Sequence, residues 1–354
     1  MAIKEMLEEA VGQKASDLFI VSGAKLAYRI SGRIIQIGEK VIMPADAKKY
    51  VEEIISIANL PHKYDIETEG ELDFSFSLAG VGRFRANVYH QRGSLAVVLR
   101  YVLFELPDYA TLNIPREVIE LSNITKGIVL ITGSAGSGKS TTLSCMIDNI
   151  NNSRSCHIIT IEDPIEFLHR HKKSIISQRE INIDTENYLK ALRAALRQSP
   201  NVILLGEMRD YETITTAMTA AETGQLILST LHTTGAANTI DRIIDVFPPN
   251  QQHQIRTQLS MVLQSVVSQQ LLPAVDGSQV PAFEIMNVNN AIKTLIRENK
   301  THQVDNVIQS TEGMITMDSS IFNLYVEGII TNETAIEYAT NQEMMLRRIK
   351  EKIF

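Results

Sequence analysis

IVLITGSAGSGKSTTLSCMIDNI, residues 128–150, is the stretch whose reading decides the fold. It opens on an apolar, largely β-branched run, Ile128, Val129, Leu130 and Ile131, of the kind a buried parallel strand requires. A glycine-rich turn follows, and then Leu143, Met146, Ile147 and Ile150 recur at helical spacing. The turn fits G-x-x-x-x-G-K-[ST] at Gly133, Gly138, Lys139 and Ser140, with a further glycine at Gly136. Each residue type there serves phosphate chemistry. Glycines let successive backbone N–H groups curl around a polyphosphate. The start of the helix adds partial positive charge. Lys139 can reach the β- and γ-phosphates, and Ser140 can present a hydroxyl to Mg²⁺. The expected cradle for ATP is therefore Gly133, Ser134, Ala135, Gly136, Ser137, Gly138, Lys139, Ser140 and Thr141. A solvated loop that happens to carry glycine and lysine is the bland alternative, and the flanking strand and helix speak against it.

The chain has 354 residues, which suggests about two domains, and 44% apolar residues, enough for sizeable cores. The formal charge of −7, with both signs mixed along the chain, argues against a nucleic-acid polymer as the main partner but leaves room for a local basic groove. Cys145 and Cys156 form neither a metal-ligand pattern nor a disulfide framework, so they read as reduced structural thiols of a cytosolic protein. No signal peptide is visible. The N-terminus reads as a short amphipathic helix with Ile3, Leu7, Ala10 and Val11 on one side. No stretch approaches the roughly 20 apolar residues of a membrane span, so membrane association is expected only through partners.

Up to about residue 100 the pattern is mixed and β-rich. Leu26–Ile37 reads as a hairpin around Ser31-Gly32, and Pro44 opens a helix running to about Asn59. Leu72, Phe74, Phe76 and Leu78 alternate as on a half-buried strand, a turn follows at Gly80–Gly82, and Leu95–Leu99 is a further strand. In GRFRANVY, Phe84, Ala86 and Val88 share one strand face, and Arg83, Arg85 and Asn87 the other. The stretch 101–115, with two prolines and no clear period, reads as a linker between a domain at 1–100 and one at 116–354. Strands expected at 128–132, 157–161, 202–206 and 226–231 then alternate with helices, implying a mostly parallel sheet. Tyr188–Gln198 is one such helix. After about 245 the chain is expected to be more helical, through Ile255–Val267 and Val288–Glu298.

Ligands of open α/β sheets bind outside the carboxyl ends of the strands. The expected strands end there in Glu162-Asp163, in Gly206-Glu207-Met208-Arg209-Asp210 and in His232. Phosphoryl transfer to water needs a metal clamp and an oriented water, and carboxylates at neighbouring strand ends suit both. Glu162, Glu207 and His232 are the candidates, with Lys139. Asp163 and Asp210 read equally well as helix N-caps, and Arg209 as the ion-pair partner of Asp210 or another carboxylate.

These segments resemble a known family. The glycine-rich loop, IEDPIEF (161–167), LLGEMRD (204–210) and STLHTTGAANTIDRIIDVFP (229–248) are similar, in order and spacing, to the Walker A, Asp box, Walker B and His box of the secretion and pilus ATPases. ASDLFI (15–20) and DFSFSLAGVGRFRANVY (73–89) resemble that family's N-terminal elements. AIKTLIRE (291–298) and the tail 301–331 resemble the PilT family of type IV pilus retraction ATPases. Extension and type II secretion motors carry an extra N-terminal domain and a four-cysteine zinc motif, for which this chain has no room. The resemblance implies a PAS-like α+β N-terminal domain followed by a RecA-like P-loop domain, assembled as a homo-hexamer that hydrolyses ATP with Mg²⁺. It further implies that Lys139 binds phosphate, Ser140 and Glu207 hold Mg²⁺, Glu162 polarises the attacking water and His232 senses the γ-phosphate. Arg83, Arg85 and Arg100 would reach the phosphates from the N-terminal domain. The implied partner is an inner-membrane pilus platform protein, with the motor at the cytoplasmic face of that membrane and no nucleic acid involved. Another motor of the superfamily, or a nucleic-acid translocase, is the alternative. Phe19 stands where the family commonly has histidine, SGAKLAYRI lacks its paired prolines, and HTTG replaces the commoner HTNS.

Overall fold

A computed structural model describes residues 2–59, 66–102 and 106–352. It divides into two compact units: Met1–Glu105 with Pro164–Leu168, and Leu106–Asp163 with His169–Phe354. Residues 103–105 of the stretch expected as a linker lie outside the described residues. Its last part is no loose connector, because Ile114 is buried and Tyr109 and Leu112 pack on the same core as Val118 and Ile147.

The first unit is built on six antiparallel strands: β1 (Asp17–Val21), β2 (Lys25–Ile30), β3 (Arg33–Val41), β4 (Glu71–Leu78), β5 (Gly82–Gln91) and β6 (Ser94–Val102), in the order β3-β2-β1-β6-β5-β4. The expected hairpin is β2–β3, with Ile30 opposite Arg33 and both turn residues, Ser31 and Gly32, at positive φ. That is the backbone a right-handed twist favours in a two-residue loop. The helices Ile3–Gly12 and Pro44–Ala58 bury stripes at helical spacing, Ile3, Met6, Leu7 and Ala10 in one and Ala47, Val51 and Ile54 in the other. On β5 the alternation holds: Phe84, Ala86 and Val88 are buried, and Arg83, Arg85 and Asn87 are half-exposed.

The second unit carries seven strands: β7 (Gly127–Thr132), β8 (His157–Glu162), β9 (Ile175–Glu180), β10 (Val202–Leu205), β11 (Leu226–Leu231), β12 (Leu263–Pro273) and β13 (Gln279–Asn287). Their order is β13-β12-β7-β11-β10-β8-β9, parallel except for the antiparallel β12–β13 pair. The apolar run in β7 has a physical reason. Ile128 and Leu130 face a core with the Tyr211–Glu222 and Ala236–Asp245 helices, while Val129 and Ile131 face a second core with the Lys139–Ser153 helix. A strand covered on both sides has no polar face, so its residues cannot alternate. This is the α/β architecture expected for a RecA-like domain, with the PAS-like α+β unit before it.

One expectation fails. The helix drawn through Val267 stops at Val262 (Pro249–Val262), and residues 263–287 form the β12–β13 hairpin inside a region expected to be helical. Val266 points into one core and Val267 into the other, so the strand has no period-2 signature. The helices Met317–Val326, Asn332–Tyr338 and Gln342–Lys352 form a third core against Leu272, Val280 and Ala282 of that hairpin.

Candidate nucleotide site

The loop 133–138 leaves the end of β7 and enters the Lys139–Ser153 helix through Gly138, which caps it in the left-handed region at φ 88°. Gly133 has a second reason to be glycine. A Cβ there would strike the carbonyl oxygen of Gln269 on β12 and come within 2.7 Å of Ser137 Oγ. Gln269 also accepts a hydrogen bond at 2.8 Å from the Thr142 hydroxyl, fixing the first helical turn to β12. Lys139 is buried and folds back on the loop: its Nζ donates to the carbonyls of Gly133 at 2.9 Å and Ser134 at 2.7 Å. Ser134, Ala135 and Gly136 are exposed, and Ser140 and Thr141 half-buried.

Two hydroxyls, Thr132 Oγ1 at the end of β7 and Ser137 Oγ in the loop, are buried without a hydrogen-bond partner among the described residues. An orphaned buried hydroxyl costs about 1–3 kcal/mol. Two of them beside an ammonium and a helix start fit a polyphosphate that would supply acceptors. Mg²⁺ in phosphate sites takes one or two protein ligands and completes its shell with phosphate oxygens and water. Ser140 and Glu207 are suited to that demand.

Pairing of Leu231 with Thr132, Leu205 with Ser229 and Leu205 with Ile161 brings the carboxyl ends of β7, β11, β10 and β8 to one edge of the sheet. Glu162 closes β8. Its Oε1 accepts from the Thr160 hydroxyl at 2.6 Å and from Gln178 Nε2 at 3.3 Å. Glu207 follows β10 and is met on one carboxylate oxygen by Arg209 Nε and by His232 Nε2, the latter at 3.5 Å. A cavity of 310 Å³ opens beside them, lined also by Thr230, Thr233 and Arg242. Arg209 therefore pairs with Glu207. Asp210 caps the Tyr211–Glu222 helix by accepting from Thr213 N, the bland role considered for it.

Gln178, Tyr188 and Gln269 adjoin these groups and were missed by sequence reasoning, since each belongs to an element without a local motif; Arg242, which lines the cavity, lies inside the 229–248 motif but carries no signal of its own there. The Tyr188 hydroxyl lies where a Cβ on Gly206 would be only 2.7 Å away. Burial first, then the charges of Glu207, Asp163 and Glu162, push its phenol well above its ordinary range, so it stays protonated as a donor beside three carboxylates.

In the first unit, the expected arginines lie on the exposed face of β5 and β6. Arg83 Nη1 donates to Ser77 Oγ at 3.2 Å. Arg85 stands opposite Arg100 in the ladder, an arrangement that like charges disfavour. Each leans on a carboxylate from the next strand: Arg85 on Asp73 at 3.3 Å, Arg100 on Asp17 at 2.9 Å. These four groups, with Asn87 and Val98, line a 230 Å³ cavity. Asp17 is only 4% exposed and has further contacts from Arg29 at 3.7 Å and the Ser16 hydroxyl at 2.8 Å. Arg100→Ala is expected to cost about 1–3 kcal/mol in urea unfolding, because it strips a charged hydrogen bond from a buried acid. Arg83→Ala should cost less than about 1 kcal/mol, since the Ser77 hydroxyl it releases is exposed and water can replace the bond.

The family model described as "Type II/IV secretion system protein" matches residues 1–352. The chain is 43% identical to the type IV pilus retraction ATPase PilT of Pseudomonas aeruginosa over 96% of its length and 98% of the relative's. It is 35% identical to the type IV pilus ATPase PilU of the same organism over 99% of its length and 92% of the relative's. The crystal structure of the pilus retraction motor PilT with bound ADP superposes with a TM-score of 0.89 at 46% identity, covering 98% of this chain and 99% of that one.

Proposed function

The chain belongs to the type II/IV secretion system protein family, and from that membership we propose that it is an ATP-hydrolysing motor that retracts type IV pili and so powers twitching motility. The observation that carries this reading is the gathering, on one sheet edge, of a lysine-bearing glycine loop, Glu162 and the Glu207–His232 pair, in a chain related to PilT over nearly all of its length.

The roles follow from the surroundings of each group. Lys139 exchanges the carbonyls of Gly133 and Ser134 for phosphate oxygens when ATP enters. Residues 133–141 offer backbone N–H groups to the rest of the polyphosphate. Glu162, held by the Thr160 hydroxyl and Gln178 Nε2, orients the attacking water and draws its proton. Glu207 and Ser140 hold Mg²⁺, which when bound neutralises charge developing on the phosphates. His232 contacts the γ-phosphate and so distinguishes ATP from ADP. Arg83, Arg85 and Arg100 are anion ligands on the first unit's sheet, with Asp73 and Asp17 as the partners that phosphate displaces.

The motor works as a homo-hexamer on an inner-membrane pilus platform protein, at the cytoplasmic face. No helix among the described residues is long and apolar enough to cross a membrane. ATP hydrolysis per chain should rise with protein concentration and then saturate. Cells lacking this chain should carry excess pili and fail to twitch, with both defects repaired by the wild-type chain and not by Glu162→Gln. Loss of pili on deletion would point instead to an extension motor, and stimulation of the ATPase by DNA or RNA to a translocase.

A further inference from the structure

Glu284 is a buried acid that this chemistry does not use. It lies on β13 at 6% exposure. One carboxylate oxygen accepts from the N–H of Ala236 at 2.6 Å, the first residue of the Ala236–Asp245 helix. The other accepts a long 3.5 Å bond from the N–H of Met317, the first residue of the Met317–Val326 helix. Next to it on β12, the Ser268 hydroxyl accepts from the N–H of Gly235 at 2.9 Å. Thr233 adds a hydroxyl contact to Thr239 at 2.7 Å. The segment that carries His232 is thus tied down at residues 233, 235 and 236.

A charge this deep is costly unless it is matched, and two positive helix ends match it here. Burial pushes the Glu284 carboxyl above the usual range, Asp305 and Asp318 add in that direction, and the two N–H bonds oppose them. A helix start needs no such expense, because an uncharged serine or asparagine caps it as well. What one carboxylate does that two separate caps do not is join the two helices. The first begins four residues after His232. The second opens the C-terminal group that packs on Leu272, Val280 and Ala282.

We propose that Glu284 is a positioning residue for His232, and that by holding both helix starts on one side chain it makes the His232 loop and the C-terminal helices respond together as the γ-phosphate comes and goes. The proposal rests on the ATPase reading above. Glu284→Gln keeps the size and one acceptor but turns an N–H₂ group toward one of the two backbone donors. The measurements are kcat and KM for ATP, affinities for AMP-PNP and ADP by calorimetry, and amide exchange over 317–326, in the wild type, Glu284→Gln, His232→Ala and the double variant. Expected for Glu284→Gln are a kcat about tenfold lower, an AMP-PNP preference over ADP reduced to a similar degree and unchanged ADP affinity. No further loss should appear when the change is added to His232→Ala. The wild type should show an AMP-PNP-dependent change in exchange at 317–326 that Glu284→Gln lacks.

Losses that add to those of His232→Ala, or a Glu284→Gln protein with full kcat and full AMP-PNP preference, would overturn the proposal and leave a helix cap. If Glu284→Gln does not fold, Ser268→Ala removes the neighbouring tie with one hydroxyl. It must then give the same non-additive pattern for the proposal to stand. A wild-type chain that hydrolyses no ATP would instead refute the ATPase reading, so the two failures are distinct.

Discussion

Glu162→Gln is expected to lower kcat for ATP hydrolysis by about 10²–10⁴-fold, the usual contribution of a positioned general base, with nucleotide affinity nearly unchanged. The amide is the same size, and its oxygen still accepts from the Thr160 hydroxyl and Gln178 Nε2, so the side chain keeps its place. It has lost the charge and with it the ability to take a proton from water. Single-turnover hydrolysis separates this effect from slow product release, since the chemical step itself must slow. A Glu162→Gln protein that retained more than about a tenth of the wild-type rate would remove Glu162 from the chemistry.

Lys139→Ala should have an effect of similar size through a different quantity. The ammonium is the only side-chain cation on the loop, and it is buried against the loop's own carbonyls. Without nucleotide, its removal frees those two carbonyls; water replaces the bond at exposed Ser134, but the bond to Gly133 is buried, so the cost should be about 1–3 kcal/mol. With nucleotide, the loss falls on phosphate binding in the transition state, and kcat/KM should drop by about 10³-fold, or ~4 kcal/mol. Thermal unfolding gives an independent readout. ATP at a hundred times its Kd stabilises the wild type by about 2.7 kcal/mol, a shift the variant should lack at the same concentration. A variant still stabilised to the full extent would place the triphosphate elsewhere.

Much of this site is legible because its chemistry is local in sequence. The glycine loop, its strand and its helix are contiguous, and Glu162, Glu207 and His232 stand where apolar strands turn polar. The four strands expected from those runs match β7, β8, β10 and β11 to within a residue. What stays hidden depends on partners far along the chain. Gln269 meets Thr142 across 127 residues, and no spacing rule connects them. Tyr188 resembles any aromatic on an amphipathic helix until the fold sets it against Gly206. The β12–β13 hairpin escapes because strands buried on both faces lack alternation, while the polar Gln264, Ser265, Ser268 and Gln269 mask the apolar run that betrays β7. On the first unit the alternation reveals the arginine face but not Asp17 and Asp73, whose relation to it depends on strand order.

The contact between Gly133 and the Gln269 carbonyl separates two questions that a motif search merges. Any side chain at position 133 collides with a neighbouring strand before a nucleotide enters. A degenerate paralogue stripped of its glutamates would therefore still be confined to glycine there, merely to fold. Invariance at this position across a protein lineage would record strand packing and would be no testimony to turnover.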